Sequence, residues 1–177
     1  MATWNSRGLR GSTLEEVINL TNEKFRESGL ALVTKIPTPI KPVKIDSDGH
    51  RITLAYFEEK STVDYVGVVQ GIPLCFDAKN CDADTFAMSN LHEHQLEYMR
   101  DFENQGGYAF FLVYFSKHNV YYYLTLREAT YHADGREEFK KHIKFDEIDE
   151  EYIIPVEKNI YVNYIKILQK EVDYREK

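Results

Sequence analysis

The chain has 177 residues, 43% of them hydrophobic and 14% aromatic, which is enough for one domain with a sizeable core and too aromatic for a disordered chain. No apolar run reaches the roughly 20 residues of a membrane span, and the opening "MATWNSRGLRGS" lacks the apolar core of a secretion signal. The net charge of −7 argues against simple electrostatic binding of nucleic acid, but it is unevenly spread: residues 1–44 carry seven Lys and Arg against four Glu, whereas residues 45–126 carry five against twelve Asp and Glu.

A helix is predicted from Ser12 or Thr13, either of which can cap it, with Glu15 or Glu16 completing a capping box; Leu14, Val17, Ile18 and Phe25 form its apolar stripe and Gly29 ends it. "LALVTKI" reads as a strand. "PTPIKPVKIDSDGHR" then carries three prolines and a turn signal at Ser47-Asp48-Gly49 before the chain returns through "ITLAYFEE". Proline is excluded from central sheet positions, so residues of about 36–58 are expected to leave the sheet as an edge excursion or protruding hairpin. Lys35, Lys41, Lys44, Arg51 and Lys60 lie on or near it, and the segment reads as having little apolar content of its own.

Residues 63–80, "VDYVGVVQGIPLCFDAKN", read as a hairpin closed by Gln70-Gly71. With Val69 paired to Ile72, Asp64 stands opposite Asp77 and Thr62 opposite Lys79, while Val63, Tyr65, Val69, Ile72, Leu74, Phe76 and Ala78 form the opposite, core face. Two carboxylates placed directly across a strand pair repel, and a divalent cation between them removes the repulsion. The alternative is a pair of frayed strand-end carboxylates neutralised by Lys79 or Lys60.

Ser89 is the expected cap of a second helix running to about Asn104 before Gly106-Gly107. Its stripe of Leu91, Gln95, Tyr98, Met99 and Phe102 contains one amide, Gln95, which either bonds a backbone group or faces the acidic pair. "YAFFLVYF" and "VYYYLTL" read as strands, the first central. Short helical pieces, "REEFKKHI" and "YVNYIKILQKEV", flank the acidic run "FDEIDEEY". The order implies an α/β or α+β domain with a mixed sheet.

Asp64, Asp77 and Lys79 suit metal-dependent phosphodiester cleavage, in which carboxylates hold Mg²⁺ and a lysine orients the nucleophile or offsets the charge built up in the transition state. Glu15 reads equally as a capping-box carboxylate. Cys75, Cys81, His92 and His94 lack the spacing of a zinc site, and the two cysteines fit free thiols in a reducing, cytoplasmic setting. There is no glycine-rich phosphate loop and no Gly-x-Ser-x-Gly elbow.

The blocks "SRGLRGSTLEEVINLTNEKF", "KIPTPIKPVKI", "AYFEEKSTVDYVGVVQG", "FDAKN" and "NLHEHQLEYM", and more weakly "FDEIDEEYIIP" and "YVNYIKIL", resemble in content and order the RecU-type Holliday junction resolvases of Gram-positive bacteria and their phages. That resemblance covers most of the chain. It implies a single restriction-endonuclease-like domain of the PD-(D/E)XK type, a mixed α/β sheet flanked by helices with a protruding proline-rich stalk, working as a homodimer with Mg²⁺ or Mn²⁺ to nick opposed strands of a four-way junction in recombination and repair. By the same resemblance Glu15, Asp64 and Asp77 are metal ligands, Lys79 is the catalytic lysine, and Gln95 and Thr62 belong to the site. Arg7, Arg10, Lys35, Lys41, Lys44, Arg51 and Lys60 are the expected DNA contacts, with four-way junction DNA and recombination proteins as partners. Asp77 stands where the family generally has Glu, which shifts the metal geometry, and the stalk is poor in arginine. Two rival readings are a nuclease of this fold acting on other branched or duplex DNA, and a relative that only binds DNA.

Overall fold

The computed structural model describes residues 13–57, 62–133, 141–158 and 160–176. Helix α1 (Leu14–Glu27) begins at Thr13, whose side chain accepts from Glu16 N while the Glu16 carboxylate accepts from Thr13 N at 2.8 Å. The capping box is therefore closed by Glu16, which leaves Glu15 free of that task. Gly29, at φ +68°, ends the helix in the left-handed conformation that glycine adopts without strain.

Strands β1 (Ala31–Lys35), β4 (Tyr65–Val69) and β5 (Ile72–Cys81) are followed by β7 (Tyr108–Phe115), β8 (Val120–Thr125) and β10 (Ile153–Ile154) in one six-stranded sheet of order β1-β4-β5-β7-β8-β10. The β5–β7 pair is parallel and the others are antiparallel. Helices α1 and α4 (Tyr164–Arg175) cover one face over a core of Ile18, Phe25, Tyr65, Phe76, Phe110 and Tyr164. Helices α2 (Glu93–Asn104) and α3 (Leu126–Ala133) cover the other over Leu96, Met99, Phe111, Leu124 and Ala129. Burial on both faces explains why β7 reads as a continuous apolar run. Phe76 stacks on Tyr65 at 4.7 Å and on Phe110 at 4.8 Å, so the strand carrying the acidic residues is anchored from beneath.

The 63–80 hairpin forms in the expected register. Val69 pairs with Ile72 and Tyr65 with Phe76, and the link takes positive φ at both Gln70 (47°) and Gly71 (91°), the requirement of a type I′ turn. The ladder stops at Tyr65, however, and the chain bends at Asp64. Thr62 is consequently not paired across from Lys79, and Val63 turns into the second core with Cys75 rather than joining Tyr65.

β2 (Ile40–Ile45) and β3 (Ile52–Phe57) form a separate two-stranded ribbon, the expected stalk, with Pro42 paired to Ala55 where each strand is an edge. Its content corrects one expectation: Ile40, Val43, Ile45, Ile52, Leu54 and Tyr56 are all exposed on it, so the ribbon is apolar as well as basic. Asp46 closes its tip, accepting from His50 N and Arg51 N.

Three further expectations change. Helix α2 is capped at His92, because Met88–Asn90, with Ser89 inside it, forms a single tight turn that buries Met88. The "VYYYLTL" strand gives way at Leu126 to α3, whose Leu126 and Ala129 pack in the second core. His142 and Ile143, the end of "REEFKKHI", lie with Lys144 in a strand, β9 (His142–Lys144), paired with β6 (Thr85–Ala87). Residues 136–140 of that piece lie outside the described residues, as do Arg7, Arg10, Lys60 and positions 1–12 generally. No described helix is long and apolar enough to cross a membrane.

Candidate active site

Side chains alternate along β5, so Asp77 and Lys79 point to the α2 side while Ala78 and Asn80 point the other way. Asp77 is 1% exposed. Its Oδ1 accepts from Gln95 Nε2 at 2.8 Å, and its Oδ2 lies 2.7 Å from Lys79 Nζ. Lys79 in turn donates to Gln95 Oε1 at 3.0 Å. The orientation of the Gln95 amide is fixed by chemistry: an ammonium only donates and a carboxylate only accepts, so oxygen faces Lys79 and nitrogen faces Asp77. Gln95 is buried on the first turn of α2, and the apolar stripe that surrounds it holds it against the acidic strand.

Asp64 reaches across the hairpin, its Oδ2 accepting from Ala78 N at 2.9 Å. It sits at the bend rather than in the ladder, yet the two carboxylates still interact. Burial pushes the Asp77 carboxyl up to about 6; the Lys79 ammonium opposes this and the Asp64 carboxylate reinforces it. Asp77 Oδ2 is also a buried oxygen on which no hydrogen bond is aligned, despite its short charge contact with Lys79. A buried carboxylate beside a second carboxylate, with one ammonium between two negative charges, is an arrangement that a hard divalent cation relieves, and the donor set of carboxylate oxygens is the one such cations take.

Glu15 is placed differently. It is half-exposed at the start of α1 and paired with Lys35, the last residue of β1. Tyr65, the neighbour of Asp64, ties this helix to the sheet by donating to Asn19 Oδ1 at 3.1 Å. Among the described residues no three of His, Cys, Asp and Glu come together as a metal-holding set, so Asp64 and Asp77 stand as a pair with Glu15 apart. Thr62 is exposed beside the bend. Cys75 and Cys81 are buried free thiols, and His92 and His94 stack on each other at 5.5 Å. Lys41, Lys44 and Arg51 are exposed on the ribbon.

On the Ala78–Asn80 side of the same strand lies a cavity of about 650 Å³, walled by Thr13, Leu14, Glu15, Asn80, Tyr114 and Ser116. The sequence gives no hint of it. Ser116 and Tyr114 are brought there by the parallel pairing of β5 with β7, a non-local contact that leaves no local signal in the sequence.

The family model for Recombination protein U matches residues 9–170. Curated relatives named Holliday junction resolvase RecU are 37% identical over 174 residues in Leuconostoc mesenteroides, covering 94% of this chain and 83% of that one, and 36% identical over 172 residues in Pediococcus pentosaceus, covering 94% and 86%. The protein of that name from Lactococcus lactis is 44% identical over 121 residues, 66% of this chain and 57% of that one. Both the family match and the first two relatives span the capping segment, the ribbon, the hairpin with its acidic pair and α2, and on that ground the chain belongs to the Recombination protein U family.

Proposed function

We propose that this protein is a Holliday junction resolvase, a divalent-cation-dependent endonuclease that works as a homodimer and nicks opposed strands of four-way DNA junctions. One observation carries the chemistry: a buried Asp77 with an unaligned oxygen, beside Asp64, in a chain whose relatives over most of its length bear that name. Mg²⁺ or Mn²⁺ held by Asp64 and Asp77 would polarise the phosphate and lower the pKa of a bound water. Gln95 keeps Asp77 turned toward the site and holds Lys79 beside it. Lys79, anchored between carboxylate and amide, presents a fixed positive charge where charge grows on the phosphate, without having to reorganise during the reaction. Glu15, the third ligand the resemblance implies, is paired with Lys35 and stands apart from Asp64 and Asp77, so it would join them only with a shift of the start of α1. Lys41, Lys44 and Arg51 on the ribbon supply phosphate contacts away from the acidic centre.

The test compares a mobile four-way junction with a Y-fork and a linear duplex, each with Mg²⁺, Mn²⁺ or EDTA. Paired symmetric nicks on the junction, lost in EDTA and at least tenfold slower on duplex, are expected. Equal cutting of all three substrates would make this a nuclease of broader substrate range, and binding without cutting in either metal would make it a DNA-binding relative.

A further inference from the structure

Two histidines stand at the start of α2, on the face of the sheet that carries Asp77 and Lys79. His92 is the cap residue and is exposed, and His94 is half-buried. Histidine is not among the residues favoured at a helix cap, and the cap contact here is long, with Gln95 Oε1 3.5 Å from His92 N. Capping is thus a weak reason for an imidazole at this position. The same Gln95 oxygen accepts from Lys79 Nζ at 3.0 Å. One amide oxygen therefore ties the histidine to the lysine of the site, and His92 N lies within two such contact lengths of the Lys79 ammonium.

Residues two apart on a helix ordinarily diverge. His92 has an extended backbone, φ −84° and ψ 139°, and its ring lies over that of His94 with centroids 5.5 Å apart and planes 10° apart. A stack uses the flat faces of the rings, not the edges that bear their nitrogens, and it orders the His92 ring before any ligand arrives. The charge at this corner suits an anion. Lys79 stands on the near side, and Glu93, the carboxylate between the two histidines in sequence, is held by Arg100 at 2.9 Å. An imidazole can donate to a phosphate oxygen in either protonation state, through one N–H when neutral and through two when charged. Resting on the reading of this protein as a junction nuclease, we propose that His92 donates a hydrogen bond to a phosphate flanking the one that is cut. The contact fixes the register of the strand over Asp64, Asp77 and Lys79, which is the positioning that phosphate contacts give in DNA recognition.

The experiment separates a phosphate contact from a helix cap. Serine and threonine are favoured caps with short side chains, so His92→Ser and His92→Thr should keep or raise the urea unfolding midpoint while removing the imidazole. Four-way junctions carrying one neutral methylphosphonate, placed in turn at each phosphate near the branch in the strands to be cut, are bound in Ca²⁺. Unmodified junction is cut in Mg²⁺ to locate the nick. The parent should lose about tenfold in affinity when one phosphate within two of the nick is neutralised, the scale of a hydrogen bond to a charged group. Each variant should bind unmodified junction about tenfold more weakly than the parent and cut it more slowly by a similar factor. At that one position each variant should lose no more than twofold further, and elsewhere it should match the parent's losses. Variants that bind and cut within twofold of the parent would overturn the proposal. So would variants that lose tenfold at the same position as the parent, whatever their midpoints. Failure of the intact protein to cut in either Mg²⁺ or Mn²⁺ would count against the nuclease reading, and the binding measurements would still decide whether His92 holds a phosphate near the branch.

Discussion

At the scale of single residues, the protonation of Asp77 would link burial to the proposed metal binding. Its carboxyl is raised from 3.8 to about 6, chiefly by burial, so the folded, metal-free protein holds this proton more tightly than the unfolded chain. Its contribution to stability is therefore fully present below pH 4 and is lost as pH rises through about 6. Asp77→Asn cannot ionise and should abolish that loss, leaving the metal-free variant more stable than the parent at pH 8 by up to about 3 kcal/mol, with little difference at pH 4. Urea unfolding in EDTA at the two pH values measures it; a variant with the parent's pH dependence would show that another group is responsible. Metal must displace the same proton, so calorimetric affinity for Mg²⁺ or Mn²⁺ should fall below pH 6 in the parent. Gln95→Ala should leave Asp77 Oδ1 without its donor and Lys79 without its brace, slowing cleavage roughly tenfold to a hundredfold while leaving junction binding near the parent's value.

Among the elements, the hairpin and the ribbon make separable contributions. A Cβ at Gly67 would lie 2.4 Å from the Leu32 carbonyl oxygen, so Gly67→Ala must push β1 from β4 and should cost about 1–3 kcal/mol, read as a lower unfolding midpoint. The ribbon pairs only within itself, so deleting residues 38–57 and closing the gap with Gly-Ser should leave the six-stranded sheet folded. Junction selectivity over duplex should drop, and the salt dependence of junction binding should flatten by roughly one unit of slope for each phosphate no longer neutralised. Parent rate and selectivity in the deletion would make the ribbon irrelevant to recognition. These are also the elements the sequence displayed best. The Gln70-Gly71 link specifies its own turn, and from it the pairing of Tyr65 with Phe76 follows by counting, which puts Asp64 beside the strand that carries Asp77. Counting fails past Tyr65, where the bend at Asp64 replaces strand pairing. Ser89 has the chemistry of a helix cap, yet burial of Met88 and Leu91 pulls it into a tight turn and moves the cap to His92. The β6–β9 pair joins three-residue strands far apart in sequence, too short for periodicity to mark.

For the whole molecule, two opposed strands of a junction are related by two-fold symmetry, and one site per chain requires two chains. A C2 homodimer is the simplest assembly that supplies them. Light scattering should give twice the chain mass at micromolar concentration, and a monomer unchanged by junction DNA would contradict that assembly. The central claim is that Asp64 and Asp77 hold the cation with which the protein cuts a four-way junction. It is tested most directly by single-turnover cleavage of one junction in Mg²⁺ by the parent, Asp64→Asn and Asp77→Asn, with junction binding measured on the same samples. Both variants keep side-chain shape and remove one metal-binding charge. The account predicts parent-like binding with cleavage slowed by roughly a hundredfold or more, since charge stabilisation by a bound metal is worth several kcal/mol. Cleavage by either variant within about threefold of the parent rate would contradict it.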